Sequence, residues 1–176
     1  GTFVDPRQTG GKLNDCTTED LVRVMEIDGE EWLFYKAFPI DVAFIRGTTS
    51  DPSGNITMEK EALHLDNLAI AMAAKNSNGF VAAQVERMAG RKTLDSRKVL
   101  VPRILVDCIV KAKAENHHQT YATNYNPAFS GELREDLEMA APMPLDERKI
   151  IARRAAFELP MGGIVNLGIG MPEGVA

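Results

Sequence analysis

Between residues 59 and 85 the chain passes from a helical pattern to an almost wholly apolar run across a two-residue break. Leu65, Leu68, Ala69, Met72 and Ala73 recur at i, i+3, i+4, i+7 and i+8, one face of a helix over residues 59–77. Asn78-Gly79 supplies the stop, because both residues tolerate the left-handed position at a helix C-terminus. Phe80-Val81-Ala82-Ala83-Gln84-Val85 follows at once. A run this continuous predicts a strand covered on both faces. Residues 104–110 form a second such run, and residues 40–45 an earlier one. Helix between buried strands implies a βαβ crossover. The expected fold class is therefore α/β, an open and mostly parallel sheet with flanking helices.

Composition agrees with a packed core and narrows the partners. The 176 residues are 44% hydrophobic and 26% charged, with a net charge of −5. Such an acidic balance speaks against nucleic acid, which is bound mainly through basic faces. No run approaches the ~18 apolar residues needed to span a bilayer. Cys16 and Cys108 stand alone, with no second cysteine at metal-ligand spacing. Cys108 reads as a small core residue, and the cytoplasm is the expected compartment. The opening Gly1-Thr2-Phe3 and the closing Gly174-Val175-Ala176 read as the ends of an excised piece, without a leader.

The remaining segments are simpler. Residues 1–20 are rich in Gly, Asp, Asn and Thr and predict irregular structure. Residues 21–27 and 31–35 flank Asp28-Gly29 and predict a hairpin, since a type I′ turn needs positive φ at both central positions. From His117 to Met143 no period emerges, and the segment reads as a linker or long connection. Residues 146–159 predict a helix with an apolar stripe of Ile151, Ala152, Ala155, Ala156 and Leu159. Asp146 and Glu147 suit its positively polarised start. Pro160 and Gly162-Gly163 end it. Ile164-Val165-Asn166-Leu167 then predicts a strand that turns into a helix through Gly168-Ile169-Gly170-Met171-Pro172-Glu173-Gly174.

That last unit is the best local candidate for a site. Glycines let a ligand approach the backbone, and the amides of a helix start can hold an anion or a developing oxyanion. Pro172 suits the first helical turn. A dinucleotide fingerprint would need a third glycine three residues after Gly170, where Glu173 stands. A tight turn with no ligand is the plain alternative. Three other places end apolar strands, where α/β sheets bind ligands: Arg46, the pair Gln84 and Glu86, and Lys111. Lys111 reads as a solvated strand exit. So does the run of six basic residues from Arg87 to Arg103, although it could also hold phosphate. His117 and His118 are adjacent and would point to opposite faces of a strand, and His64 sits alone, so no metal is assigned.

Several motifs in order carry a resemblance. Asp146-Glu147-Arg148-Lys149-Ile150-Ile151-Ala152-Arg153-Arg154-Ala155-Ala156, then Gly163-Ile164-Val165-Asn166-Leu167-Gly168-Ile169-Gly170-Met171-Pro172, resembles the start of the second half of family I coenzyme A transferases. Gly1-Thr2-Phe3-Val4-Asp5-Pro6, the run from Ile40 to Gly54, and Tyr125-Asn126-Pro127-Ala128-Phe129-Ser130-Gly131 resemble the single-chain acetate/propionate members with fused halves. The resemblance implies two halves of one α/β fold. Residues 1–125 would be the later part of the first half, 126–145 a connection, and 146–176 the start of the second. It also implies covalent catalysis, with a glutamate taking CoA from an acyl-CoA as a glutamyl-CoA thioester and passing it to a short carboxylic acid. That glutamate lies downstream of the glycine turn in the family, so no catalytic residue is expected here, Glu173 included. Asn166, Gly168, Gly170 and Pro172, with Gln84 and Glu86, are the expected CoA- or substrate-binding residues. The CoA thioester is a substrate, and no permanently bound cofactor is expected. The expected partners are acyl-CoA, a carboxylate and copies of the same chain, with neither nucleic acid nor membrane. Unpaired sheet edges would favour self-association. The competing expectation is a noncatalytic ligand-binding domain of the same fold class, such as a sugar-phosphate sensor.

Overall fold

In the computed structural model, which describes residues 4–136 and 142–175, the chain folds as two compact units, Gly1–Glu132 and Leu133–Ala176. The first unit begins with the expected hairpin. Strands β1 (Val22–Ile27) and β2 (Glu30–Tyr35) pair antiparallel, with Ile27 opposite Glu30. Asp28 at φ 54 and Gly29 at φ 82 make the turn.

The main sheet has four strands in the order β4-β3-β5-β6. They are β3 (Val42–Ser50), β4 (Ile56–Thr57), β5 (Phe80–Met88) and β6 (Cys108–Lys111). The β3–β5 and β5–β6 pairs are parallel, and only the short β4 runs antiparallel to β3. Helix α1 (Asn67–Asn76) makes the crossover from β3 to β5. This is the mixed, mostly parallel sheet with flanking helix that the apolar runs implied.

Three details depart from expectation. The helix starts at Asn67 rather than at residue 59. Leu65 sits at φ 47, outside helical geometry, and Asn67 Oδ1 accepts from the backbone N–H of Arg46 at 3.0 Å while its Nδ2 donates to the His64 carbonyl. Glu59 and Glu61 are thereby free to bond side chains of β3. The buried face of α1 is Ala71 and Ala74, not the larger Leu65 and Met72, which are exposed. Alanines let the helix lie close on the strands. Second, one face of the sheet is buried along most of β3 and β5, while the other is covered at Thr48 by Glu61 and open at Phe44. Ala43, Ile45, Val81, Ala83 and Val85 pack against α1 with Ile56, Met58 and Val101, whereas Phe44 on the opposite face is 83% exposed. Third, the run over residues 104–110 forms a strand only from Cys108 on. Arg103–Leu105 is a short 3-10 turn, and Asp107 leaves the apolar pattern to accept from Lys75 Nζ at 2.7 Å and from the Val81 N–H at 2.8 Å.

Two tight places explain residue choice. At the α1–β5 junction Asn78 is left-handed at φ 59, and a Cβ on Gly79 would lie 2.2 Å from the carbonyl oxygen of Ile40. After β3, Asp51 closes the turn by accepting from Ser53 N, Asn55 N and Asn55 Nδ2. Burial pushes its carboxyl up, but the hydrogen bonds from Asn55, Ser53 and Gly54 outweigh it and hold it below the usual carboxylate range.

In the second unit α2 (Glu147–Ala156) is capped by Asp146, whose side chain accepts from Lys149 N at 3.0 Å. Of the expected stripe only Ala152 is buried. Residues 164–167 are irregular rather than a strand, and Ile164 is fully exposed. A strand takes its backbone hydrogen bonds from neighbours, and among the described residues no strand pairs with this segment. A short 3-10 turn, Met171–Val175, follows in place of a longer helix.

Candidate functional site

The parallel register sets Arg46 of β3 beside Gln84 of β5, and Gln84 beside Val110 of β6. Ile45 and Ala83 point into the core, so Arg46 and Gln84 point to the face away from α1. An open cavity of about 1090 Å³ lies there, walled by Phe44, Leu63, Ala82 and Val110 and reached by Arg46 and Gln84. A second hollow of about 440 Å³ shares Arg46 and Glu61 with it and adds Lys60, Glu86, His117 and Tyr125.

A hydrogen-bonded chain runs between the two. Glu61 is almost fully buried, with a side-chain exposure of 7%. Its Oε2 accepts from Arg46 Nε at 2.7 Å, and its Oε1 from Thr48 Oγ1 at 3.4 Å. His117 Nε2 lies 3.2 Å from the same Oε1. Gln84 Nε2 donates to the Asn116 carbonyl at 3.2 Å and lies 3.0 Å from His117 Nδ1. An amide nitrogen carries only donors, so Nδ1 must accept and the ring proton sits on Nε2, facing Glu61. Glu61 therefore takes three donors and satisfies its buried charge. Arg46 has one edge fixed and its two terminal amino groups making no hydrogen bond among the described residues.

The rim is polar and braced. Lys60 Nζ lies 3.5 Å from Glu86 and 5.0 Å from the centre of the Tyr125 ring. Tyr125 donates to Glu132 at 2.7 Å, which holds its phenol above the ordinary range. Gln119 Nε2 donates to the Lys60 carbonyl, and its Oε1 accepts from Asn126 N. The stretch after His117, expected as a linker, is thus strapped to residues around position 60.

The residues singled out from sequence fall into two groups. Gln84 and Glu86, two apart on β5, share the face away from α1, one in each hollow, and Arg46, opposite Gln84, lines both. Asn166, Gly168, Gly170 and Pro172 belong to the other unit: Asn166 and Gly168 in exposed irregular backbone, Gly170 half-buried in a turn at φ 100, and Pro172 in the 3-10 turn. Lys111 and His64 are exposed and line neither hollow, while His118 lines the larger one. In the basic run, Arg87 bonds Thr49 and Glu59, and Arg97 bonds Asp95. Sequence reading missed Glu61, hidden in an expected helix, and His117, set aside for want of a ligand cluster. Their sequence separation of 56 leaves no local pattern to detect. Among the described residues no acidic, histidine or cysteine cluster could hold a metal, and no helix is long and apolar enough to cross a membrane.

Comparison with known proteins gives a consistent answer. The coenzyme A transferase family profile matches residues 1–112. Over all of this chain, 54% of positions are identical to the caffeate CoA-transferase of Acetobacterium woodii, of which 34% is covered. The acetate CoA-transferase YdiF of Escherichia coli K12 is 44% identical over 99% of the chain, covering 33% of YdiF. The crystal structure of YdiF from E. coli O157:H7, a thioester complex with CoA, superposes with a TM-score of 0.83 over 99% of this chain and 34% of that one. The chain thus spans about a third of the length of the curated relatives it matches.

Proposed function

This chain belongs to the coenzyme A transferase family, and from that premise we propose that the protein carrying it moves CoA from an acyl-CoA to a short-chain carboxylic acid. The observation that carries the reading is the match of the chain along essentially its whole length to proteins named as caffeate and acetate CoA-transferases. A cavity that joins apolar walls to a guanidinium supports it, since a short carboxylic acid offers those two surfaces.

In the proposed mechanism the nucleophile is a glutamate outside these residues. Its carboxylate oxygen adds to the thioester carbonyl, the C–S bond breaks, and CoA leaves as the thiolate. The thiolate then attacks the glutamyl carbonyl of the resulting anhydride, releasing the first acid and leaving a glutamyl-CoA thioester. A second carboxylic acid reverses the sequence. Asn166, Gly168, Gly170 and Pro172 are proposed to line the CoA side, their backbone left open for an anionic group, with Gln84 and Glu86 on the substrate side. Residues 1–125 and 146–176 are proposed as parts of the two halves joined by 126–145. Self-association and a reducing cytoplasm complete the reading, supported by the exposed sheet face around Phe44 and by the free thiols of Cys16 and Cys108.

The test is to mix the full-length protein with acetyl-CoA and propionate and to follow propionyl-CoA, while weighing the protein for a CoA adduct by intact mass. Turnover with a borohydride-sensitive adduct is expected. Turnover without any adduct would remove the thioester mechanism, and absence of turnover across short acids would remove the function.

A further inference from the structure

The chain of buried Glu61 and His117 with half-buried Gln84 has a geometry that packing alone does not require. A guanidinium that only neutralised Glu61 would be expected to bury its whole fork. Arg46 instead gives Glu61 its Nε alone, keeps a third of its side chain exposed, and lines both hollows with its two terminal amino groups unbonded among the described residues. Those two groups form the edge of the guanidinium that chelates a carboxylate through two parallel hydrogen bonds.

We propose that Arg46 receives the carboxylate of the acid substrate, and that Glu61 and His117 are positioning residues that fix its angle. This rests on the transferase reading and names a substrate subsite within it. The orientation is over-determined. Glu61 is pinned by Thr48 and by His117 Nε2, and His117 is pinned in turn by Gln84 at Nδ1. The Arg46 backbone N–H is held by Asn67. With both ends anchored, the guanidinium loses little freedom on binding, which favours affinity. The apolar side of the cavity, Phe44, Ala82, Leu63 and Val110, stands ready for the hydrocarbon part of a short acid.

A phosphate of CoA offers an anion too. A phosphate seat would be expected to gather several free cations. Here the other lysine or arginine lining the hollows, Lys60, lies 3.5 Å from Glu86 and against the Tyr125 ring. One open guanidinium beside an apolar wall fits a monocarboxylate.

The experiment uses the full-length protein and measures KM separately for propionate and for acetyl-CoA, with thermal unfolding of every variant. Arg46→Gln is expected to raise the propionate KM by roughly 10- to 100-fold, the loss of one charged hydrogen-bond pair, while the acetyl-CoA KM stays near that of the unaltered protein. Arg46→Lys should recover part of the loss. A rise confined to acetyl-CoA would overturn the carboxylate assignment in favour of phosphate. An unchanged propionate KM in a folded Arg46→Gln protein would overturn the subsite altogether.

Positioning is read from selectivity. Protection against thermal unfolding by propionate over its neutral isostere propionamide should be clear in the unaltered protein. The preference should narrow in Glu61→Gln and in His117→Asn. If these variants only lower the melting temperature and keep the full preference, Glu61 and His117 serve stability alone and the positioning role is overturned. Should the unaltered protein transfer no CoA, the transferase reading fails. The propionate preference, and its loss in Arg46→Gln, would still decide the subsite.

Discussion

Residues 80–85 and residues 164–167 are both short apolar runs that follow a helix, yet they end in opposite states. The first lies in β5, between β3 and β6, with ladder partners on both sides. Val81, Ala83 and Val85 are fully buried against the alanines of α1. Each buried valine contributes on the order of 1.5–3 kcal/mol relative to exposure. The second run is irregular, and Ile164 is fully exposed. Apolar content does not separate them. What separates them is whether neighbouring strands accept the backbone hydrogen bonds that extension leaves unmade. A single extended segment gains too little to stay ordered as a strand.

Substitutions of matched type should widen the contrast. The largest effect is expected at the entry to β5. Gly79→Ala would set a Cβ 2.2 Å from the Ile40 carbonyl and 2.8 Å from that of Asp41, both backbone atoms that cannot swing aside. A loss of about 3 kcal/mol or more is expected from urea unfolding. Gly168→Ala, whose Cβ would meet only Pro172 Cγ at 3.9 Å, should stay within ~0.5 kcal/mol. A cost at Gly168 matching that at Gly79 would show a packed partner at the glycine turn and break the comparison.

The next effect is in the core. Val85→Ala removes two methyl groups from a fully enclosed site and should cost about 2 kcal/mol. Ile164→Ala should leave the urea midpoint in place. A smaller shift is expected for Asp107→Ala, which releases Lys75 and the Val81 N–H together. The cost should be about 1–2 kcal/mol. The Lys75 hydrogen bond, then that of Val81, already holds the Asp107 carboxyl below its usual range.

The smallest effect is pH dependence, and its sign is set by Asp51. Its folded-state carboxyl lies below the ordinary 3.8. The stabilisation is therefore complete above that value and lost as pH falls through the lower folded one. Urea midpoints between pH 5 and pH 3 should fall, and Asp51→Asn should flatten that slope. An unchanged slope in Asp51→Asn would move the acid sensitivity to the other depressed carboxylates, Asp5 and Asp107 among them.

Much of the first unit could be read from local pattern. Asp28, Gly29 and Asn78 are residue types that tolerate left-handed backbone, and they adopt it here, so the hairpin and the helix stop were visible. Arg46, Gln84 and Glu86 were singled out because they end apolar strands, where α/β sheets bind ligands. Glu61 and His117 were not, because each acquires meaning only through the other. The start of α1 was misplaced for a related reason. The apolar spacing from Leu65 onward is helical, but the side chains of Glu59, Glu61 and Asn67 find better partners on β3 than a further helical turn would offer.

By itself the sequence determined several positions where the backbone must turn, that the runs at 40–45 and 80–85 belong to an α/β sheet, and which family the chain resembles. Those properties reside in short stretches, through allowed φ, side-chain period and residue order. Only the tertiary structure decided that one face of the sheet is covered, that residues 164–167 are no strand, and that a buried carboxylate and a distant histidine hold Arg46 open to a cavity. Each of these depends on hydrogen bonds and packing between segments tens of residues apart, whose partners are chosen by the fold as a whole.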